Sequence, residues 1–143
     1  MSDTIGLVDT NVFIHALTHD DQAEECLRFL EAVAAGQLLV RLEPIVLHEL
    51  SYALRHYRKE MSRTEVAEYL LAVLAWEGIV ADRGLLVATV ERWRDHSSLA
   101  FVDAYLAARA LADVCPVYSK NVSELVKQGV QVPSPLPSSR PVS

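Results

Sequence analysis

Apolar and polar positions follow two rhythms along this chain. Short apolar runs bounded by polar or turn-forming residues recur at Ile5-Gly6-Leu7-Val8, Gln37-Leu38-Leu39-Val40-Arg41, Gly78-Ile79-Val80, Pro116-Val117-Tyr118 and Val130-Gln131-Val132. They read as short strands, the first of them buried. Between them the spacing is helical. Asn11 to about Leu17 predicts a short helix with Thr10 or Asn11 as its cap, broken by Thr18-His19-Asp20-Asp21. Gln22 to Ala35 predicts an amphipathic helix with Ala23, Cys26, Leu27, Leu30 and Val33 on one face and Gly36 as its terminator. Pro44 suits the first turn of a third helix, along which Ile45, Val46, Glu49, Tyr52, Ala53 and Tyr57 share helical spacing. Ser62-Arg63-Thr64-Glu65 has the form of a capping box and opens a helix to about Trp76. Further helices are expected at 85–93, 99–112 and 122–127, the last stopped by Gly129.

Strands alternating with helices indicate an α/β domain with a mostly parallel sheet and helices on both faces. With 143 residues, 51% of them hydrophobic, the chain suffices for one domain with a sizeable core. Residues 1–132 are expected to form that domain, without repeat or internal boundary. Residues 133–143 are rich in Pro and Ser, bury little, and are expected to be a mobile tail.

The net charge of −6 gives no overall positive field and counts against a tight non-specific DNA binder. It leaves room for a nuclease, because acids gathered at a metal site add to negative charge. Cys26 and Cys115 lie far apart without metal-ligand spacing and read as buried thiols in a reducing cytosol. The start of the chain lacks a basic segment followed by a long apolar one, so no signal peptide is expected. No run approaches the ~18 apolar residues of a membrane span. A cytoplasmic protein is the expectation, and the sequon Asn121-Val122-Ser123 is then a coincidence.

Asp9 follows the first strand, at the edge where open α/β sheets bind ligands. It is either a helix cap or a site residue. Glu49 and Asp103 have apolar neighbours at i±3 and i±4 and no basic residue placed to pair with them within the helix. A carboxylate on a core-facing stripe costs several kcal/mol unless paired, hydrogen-bonded or bound to metal. The alternatives are a rim position or a tertiary partner, and for Asp103 the favourable end of a helix dipole. Ala100, Ala104, Ala107, Ala108 and Ala110 would let the last long helix approach the sheet and bring Asp103 towards Asp9. Ser119-Lys120-Asn121-Val122-Ser123-Glu124 follows a strand and offers the Asn121 carbonyl and the Glu124 carboxylate; it also reads as a polar turn. Asp9, Glu49 and Asp103 together would make a hard oxygen-only site suited to Mg²⁺ or Mn²⁺ and not to zinc. His15 and His19 have a ligand-like spacing, but a turn interrupts it. There is no G-x-S-x-G elbow, P-loop or G-x-G-x-x-G.

Four segments taken in order resemble the PIN domain family: the first strand with Asp9-Thr10-Asn11, Pro44 to Leu50, Leu99 to Ala104, and Tyr118 to Leu125. The resemblance spans about residues 4 to 132 and is to short VapC-type toxins of toxin–antitoxin pairs. It implies a three-layer α/β/α sandwich around a mostly parallel sheet of four or five strands. It also implies a metal-dependent endoribonuclease, giving 5′-phosphate and 3′-hydroxyl products, with Asp9, Glu49 and Asp103 as metal-binding acids. Thr10 and Asn11 would support Asp9. Asn121 stands where many members carry a fourth Asp, and Glu124 fills a later acidic position, so a second metal is less firmly supported. Either would position a water or a second ion. Ala100 replaces a frequent Ser or Thr, a cap worth on the order of 1 kcal/mol. Arg41, Arg55, Arg58, Lys59 and Lys120 are candidate RNA-backbone contacts, with Tyr52 and Tyr57 as stacking rings, though a basic run also reads as a solvated face and Tyr at helical spacing as core. An antitoxin helix and a second copy are the implied partners. The competing expectations are a PIN-like module that binds RNA or protein without catalysis, and a small carboxylate–metal phosphatase.

Overall fold

In the computed structural model, which describes residues 4–140, three short strands make a parallel sheet. They are β1 (Gly6–Leu7), β2 (Val40–Arg41) and β3 (Ile79–Val80), in the order β1-β2-β3. Gly6 pairs with Val40, and Val40 with Ile79. The ladder extends past the strands: the N–H groups of Val8 and Leu42 donate to the carbonyls of Arg41 and Val80 at 3.1 and 3.0 Å. Each parallel step needs a crossover, and helices supply both. α1 (Thr10–Leu17) and α2 (Ala23–Ala34) connect β1 to β2. α3 (Pro44–Tyr57) and α4 (Arg63–Ala75) connect β2 to β3. α5 (Arg83–Asp95), α6 (Phe101–Asp113) and α7 (Val122–Val126) follow.

Local chemistry sets most helix ends as expected. Pro44 occupies the first turn of α3. Ser62 and Glu65 form both halves of the capping box on α4. Gly36 takes φ +77° after α2, and Gly129 takes φ +86° after α7. α1 is capped by Asp9 rather than by Thr10 or Asn11. α6 has no side-chain cap, in keeping with Ala100 at that position.

The sheet is smaller than the sequence suggests. Among the described residues Pro116-Val117-Tyr118 and Val130-Gln131-Val132 are extended but not strands; they share one backbone bond, from Val117 N–H to the Gln131 carbonyl at 2.9 Å. Pro116 has no N–H with which to continue a ladder. β1 is not a buried strand either. It lies at the sheet's edge, Val8 is buried, and Leu7 is 69% exposed.

A main core gathers Phe13, Leu47, Leu50, Leu54, Leu70, Leu74, Leu86 and Leu99, with Ala104 at its margin. A separate small cluster joins Ala107 and Ala110 of α6 to Val117, Leu125 and Val130. α6 packs chiefly against α5, with a lesser contact to α3, so its alanine face serves helix–helix packing. Cys115 is exposed and Cys26 half-buried, not the two buried thiols expected; burial pushes the Cys26 thiol up. Residues 134–140 are exposed and carry no helix or strand. Of the segments discussed from sequence, 1–3 and 141–143 lie outside the described residues.

Candidate functional site

The helix α3 presents a different face from the one its apolar spacing suggests. Its buried residues are Leu47, Leu50, Ser51, Ala53 and Leu54, whereas Ile45 is 76% and Tyr52 73% exposed. Glu49 is therefore exposed, and no burial penalty attaches to it. The tyrosines Tyr52 and Tyr57 are surface rings, not core.

Asp9 ends the first strand segment and turns the chain into α1. One carboxylate oxygen accepts from Thr10 N–H at 2.7 Å, which fixes the side chain at the helix start. The Thr10 hydroxyl beside it is buried without a hydrogen-bond partner among the described residues; such a group costs about 1–3 kcal/mol. Asp9, Asn11 and Glu49 line one open cavity of about 600 Å³, together with His15, Asp20 and Tyr57. That is the size range of a small-molecule or nucleotide site, ~300–1,000 Å³.

Asp103 is half-buried in the first turn of α6 and is not among the residues lining that cavity. Its carboxylate accepts from the Asn121 side-chain amide at 2.9 Å. Glu124 is engaged elsewhere: Ser98 Oγ donates to it at 2.8 Å and Lys127 Nζ lies 3.5 Å away. The Ser98 hydrogen bond holds the Glu124 carboxyl below the usual range, aided by Lys127. Asp9, Glu49 and Asp103 enter no ion pair among the described residues. Nor do three His, Cys, Asp or Glu side chains among those residues stand together as a group able to hold a metal ion. Asp9 and Glu49 thus line one cavity, whereas Asp103 is bonded to Asn121 outside that lining. As a donor set these groups are oxygen-rich and free of competing cations, which fits a hard divalent ion.

Of the candidate backbone contacts, Arg58 is committed to Glu60 at 2.8 Å and to the Leu17 carbonyl at 3.0 Å. Arg55 makes no ion pair among the described residues and lines a second cleft with His48, His56 and Trp93.

Residues 6–121 match the PIN domain family. The chain belongs to that family. PIN domains are generally nucleases; they bind nucleic acid and typically use divalent metal ions. The match to the PIN domain includes Asp9, Glu49, Asp103 and Asn121 and stops short of Glu124. No curated protein matches the sequence. No helix among the described residues is long and apolar enough to cross a membrane.

Sequence reasoning missed two parts of this region. His15 is not a partner of His19; its Nδ1 lies 2.6 Å from the Asp20 carboxylate. Their spacing of five residues across a helix end carries no standard periodic signal. Arg63, at the start of α4 and two elements before α6, donates to the carbonyls of Trp93, His96 and Leu99 ahead of α6.

Proposed function

We propose that this PIN domain is an endoribonuclease that hydrolyses RNA phosphodiesters with Mg²⁺ or Mn²⁺, acting as the toxin of a toxin–antitoxin pair in the cytoplasm. The observation that carries the reading is the shared cavity of Asp9 and Glu49, two unpaired carboxylates from separate elements at the carboxyl edge of the sheet. Asp9, Glu49 and Asp103 would hold the ion. When bound, the ion supplies Lewis-acid stabilisation of the charge that builds on the phosphate. Thr10 N–H keeps Asp9 in one orientation. The Asn121 amide does the same for Asp103 and leaves the acid's second oxygen free. Asn121 thereby acts on the acid, and Glu124 is the reserve donor for a water or a second ion.

The partners follow from the same reading. Ile45 and Val102, with Pro44 and Tyr105, form an exposed apolar depression between α3 and α6. We assign that face to a second copy of the chain, and an antitoxin helix is the regulator of the cavity.

A mixed RNA pool incubated with Mn²⁺, Mg²⁺ or EDTA tests the proposal. Wild type should cut with either metal and not with EDTA, and Asp103→Asn should lower the rate by on the order of 10²-fold or more, the scale of losing one stabilising group at a reacting centre. Cutting that persists in EDTA, or in Asp103→Asn, would remove the three-acid site. A second reading, a binding module without catalysis, is favoured by Asn121 in place of an acid and by the engagement of Glu124 with Ser98 and Lys127. It expects RNA binding and no cutting with any metal.

A further inference from the structure

The cavity holding Asp9 and Glu49 also takes in the end of α1, to which the end of α3 is tied by Arg58 donating to the Leu17 carbonyl at 3.0 Å. There, the Asp20 carboxylate is fixed by three donors: His15 Nδ1 at 2.6 Å, Thr18 Oγ1 at 2.9 Å and Gln22 N–H at 2.9 Å. The His15 contact is the foremost influence holding the Asp20 carboxyl below the usual carboxylate range, so Asp20 is the charged acceptor. An acceptor-only carboxylate requires that Nδ1 carry the proton. In the neutral imidazole, Nε2 is then an acceptor, and it has no hydrogen-bond partner among the described residues. Tyr57 lines the same cavity with an exposed aromatic ring, and Ile14 and Ala53 add apolar wall.

The lining has three carboxylates, Asp9, Glu49 and Asp20, and neither Lys nor Arg. Without a cation, that surroundings disfavours a phosphate at the His15 end. It favours a neutral, flat group with a hydrogen-bond donor. We propose that the His15–Tyr57 end of the cavity is a base-reading subsite, in which Tyr57 stacks on an RNA base and His15 Nε2 accepts from an exocyclic amine. Cytosine and adenine present such an amine; uracil presents a carbonyl at the same edge. The subsite therefore disfavours uridine beside the scissile phosphate. This rests on the ribonuclease reading for its substrate, but its binding preference can be measured without cutting.

The test is fluorescence anisotropy with labelled hexacytidylate and hexauridylate in EDTA. These two differ at the 4-position and at N3, and hexacytidylate should bind about 3- to 10-fold more tightly, the scale of one net hydrogen bond. His15→Phe keeps a ring and removes the acceptor, so the two RNAs should then bind equally. Asp20→Asn keeps the imidazole but releases its tautomer, and should lower the ratio. Equal binding of both RNAs by wild type, or an unchanged ratio in His15→Phe, overturns the subsite. The same proteins are then assayed for cutting with Mn²⁺. Base discrimination that depends on His15, in a protein that never cuts, would end the nuclease reading and keep the subsite. Cutting without base preference would do the reverse.

Discussion

The two hydrophobic clusters differ in how they are built. The main core draws on all three strand segments and on α1 to α6, and its largest side chains are fully buried. The small cluster has five buried residues, two of them alanines; among the described residues one backbone–backbone bond, at Val117, joins its extended segments, and Arg92 of α5 donates to the Gln128 carbonyl and side chain. The candidate site residues divide along this line. Asp9 caps α1 and Glu49 sits on α3, elements anchored in the main core. Asp103 sits on α6, which enters the main core through Phe101 and Ala104 and the small cluster through Ala107 and Ala110, and its partner Asn121 belongs to the smaller side. Asp9, Glu49 and Asp103 are thus flanked by main-core residues, and Asn121 belongs to a cluster with little to bury. Few buried apolar contacts are the physical signature of low local stability.

The sharpest way to break this comparison is to cut one leucine from each side. Leu47→Ala should destabilise the whole protein by about 2–5 kcal/mol, seen as a lower denaturant midpoint. Leu125→Ala should instead speed amide exchange in residues 114–130 and leave the main core protected. Equal loss of protection in α3 and α4 would mean that the two clusters unfold as one.

A smaller effect is expected at Val114, which ends α6 at φ +53° and is 90% exposed. A β-branched residue in this region is strained, by roughly 1–2 kcal/mol. Val114→Gly should relieve part of that, raising stability by up to about 1 kcal/mol in thermal melts. A fall in stability would show that the side chain has a packing role.

The smallest effect concerns Glu124. Its carboxyl is held below the ordinary 4.5, first by Ser98 and then by Lys127. A lowered value in the fold means stability that is present above pH 4.5 and lost as pH falls through the folded value. Ser98→Ala should remove part of this pH dependence and change little below it. Acid titrations of wild type and variant that differ equally at pH 3 and pH 6 would exclude the linkage.

Period and capping chemistry made much of the fold legible. The helices at Pro44, at the Ser62 box and across Leu99–Ala112 were readable because each rests on contacts within one turn. Of the candidate acids, Asp9 does follow a strand segment and Asp103 is half-buried, but Glu49 is exposed, so its apolar neighbours in sequence misstated its surroundings. What the local pattern misassigned was orientation. Ile45, Glu49 and Tyr52 share a helical face, yet Leu47, Leu50 and Leu54 share another, and tertiary packing chose the second. The extended segments at Val117 and Val130 have strand-like composition, but pairing depends on partners distant in sequence. For the same reason, the Asp103–Asn121 contact left no periodic trace, and the His15–Asp20 contact left none because it crosses a helix end.

Arg63 illustrates what such distant contacts accomplish. From the first turn of α4 its guanidinium lies 4.5 Å above the Trp93 ring and donates to three carbonyls, those of Trp93, His96 and Leu99. These span the connection between α5 and α6. The segment that leads to Asp103 is therefore a tethered loop, cross-linked at one point without a covalent bond. A tether of this kind removes configurations before any ligand arrives, and binding then has less chain entropy to overcome. One side chain from α4 thereby fixes the stretch of chain that leads into Asp103.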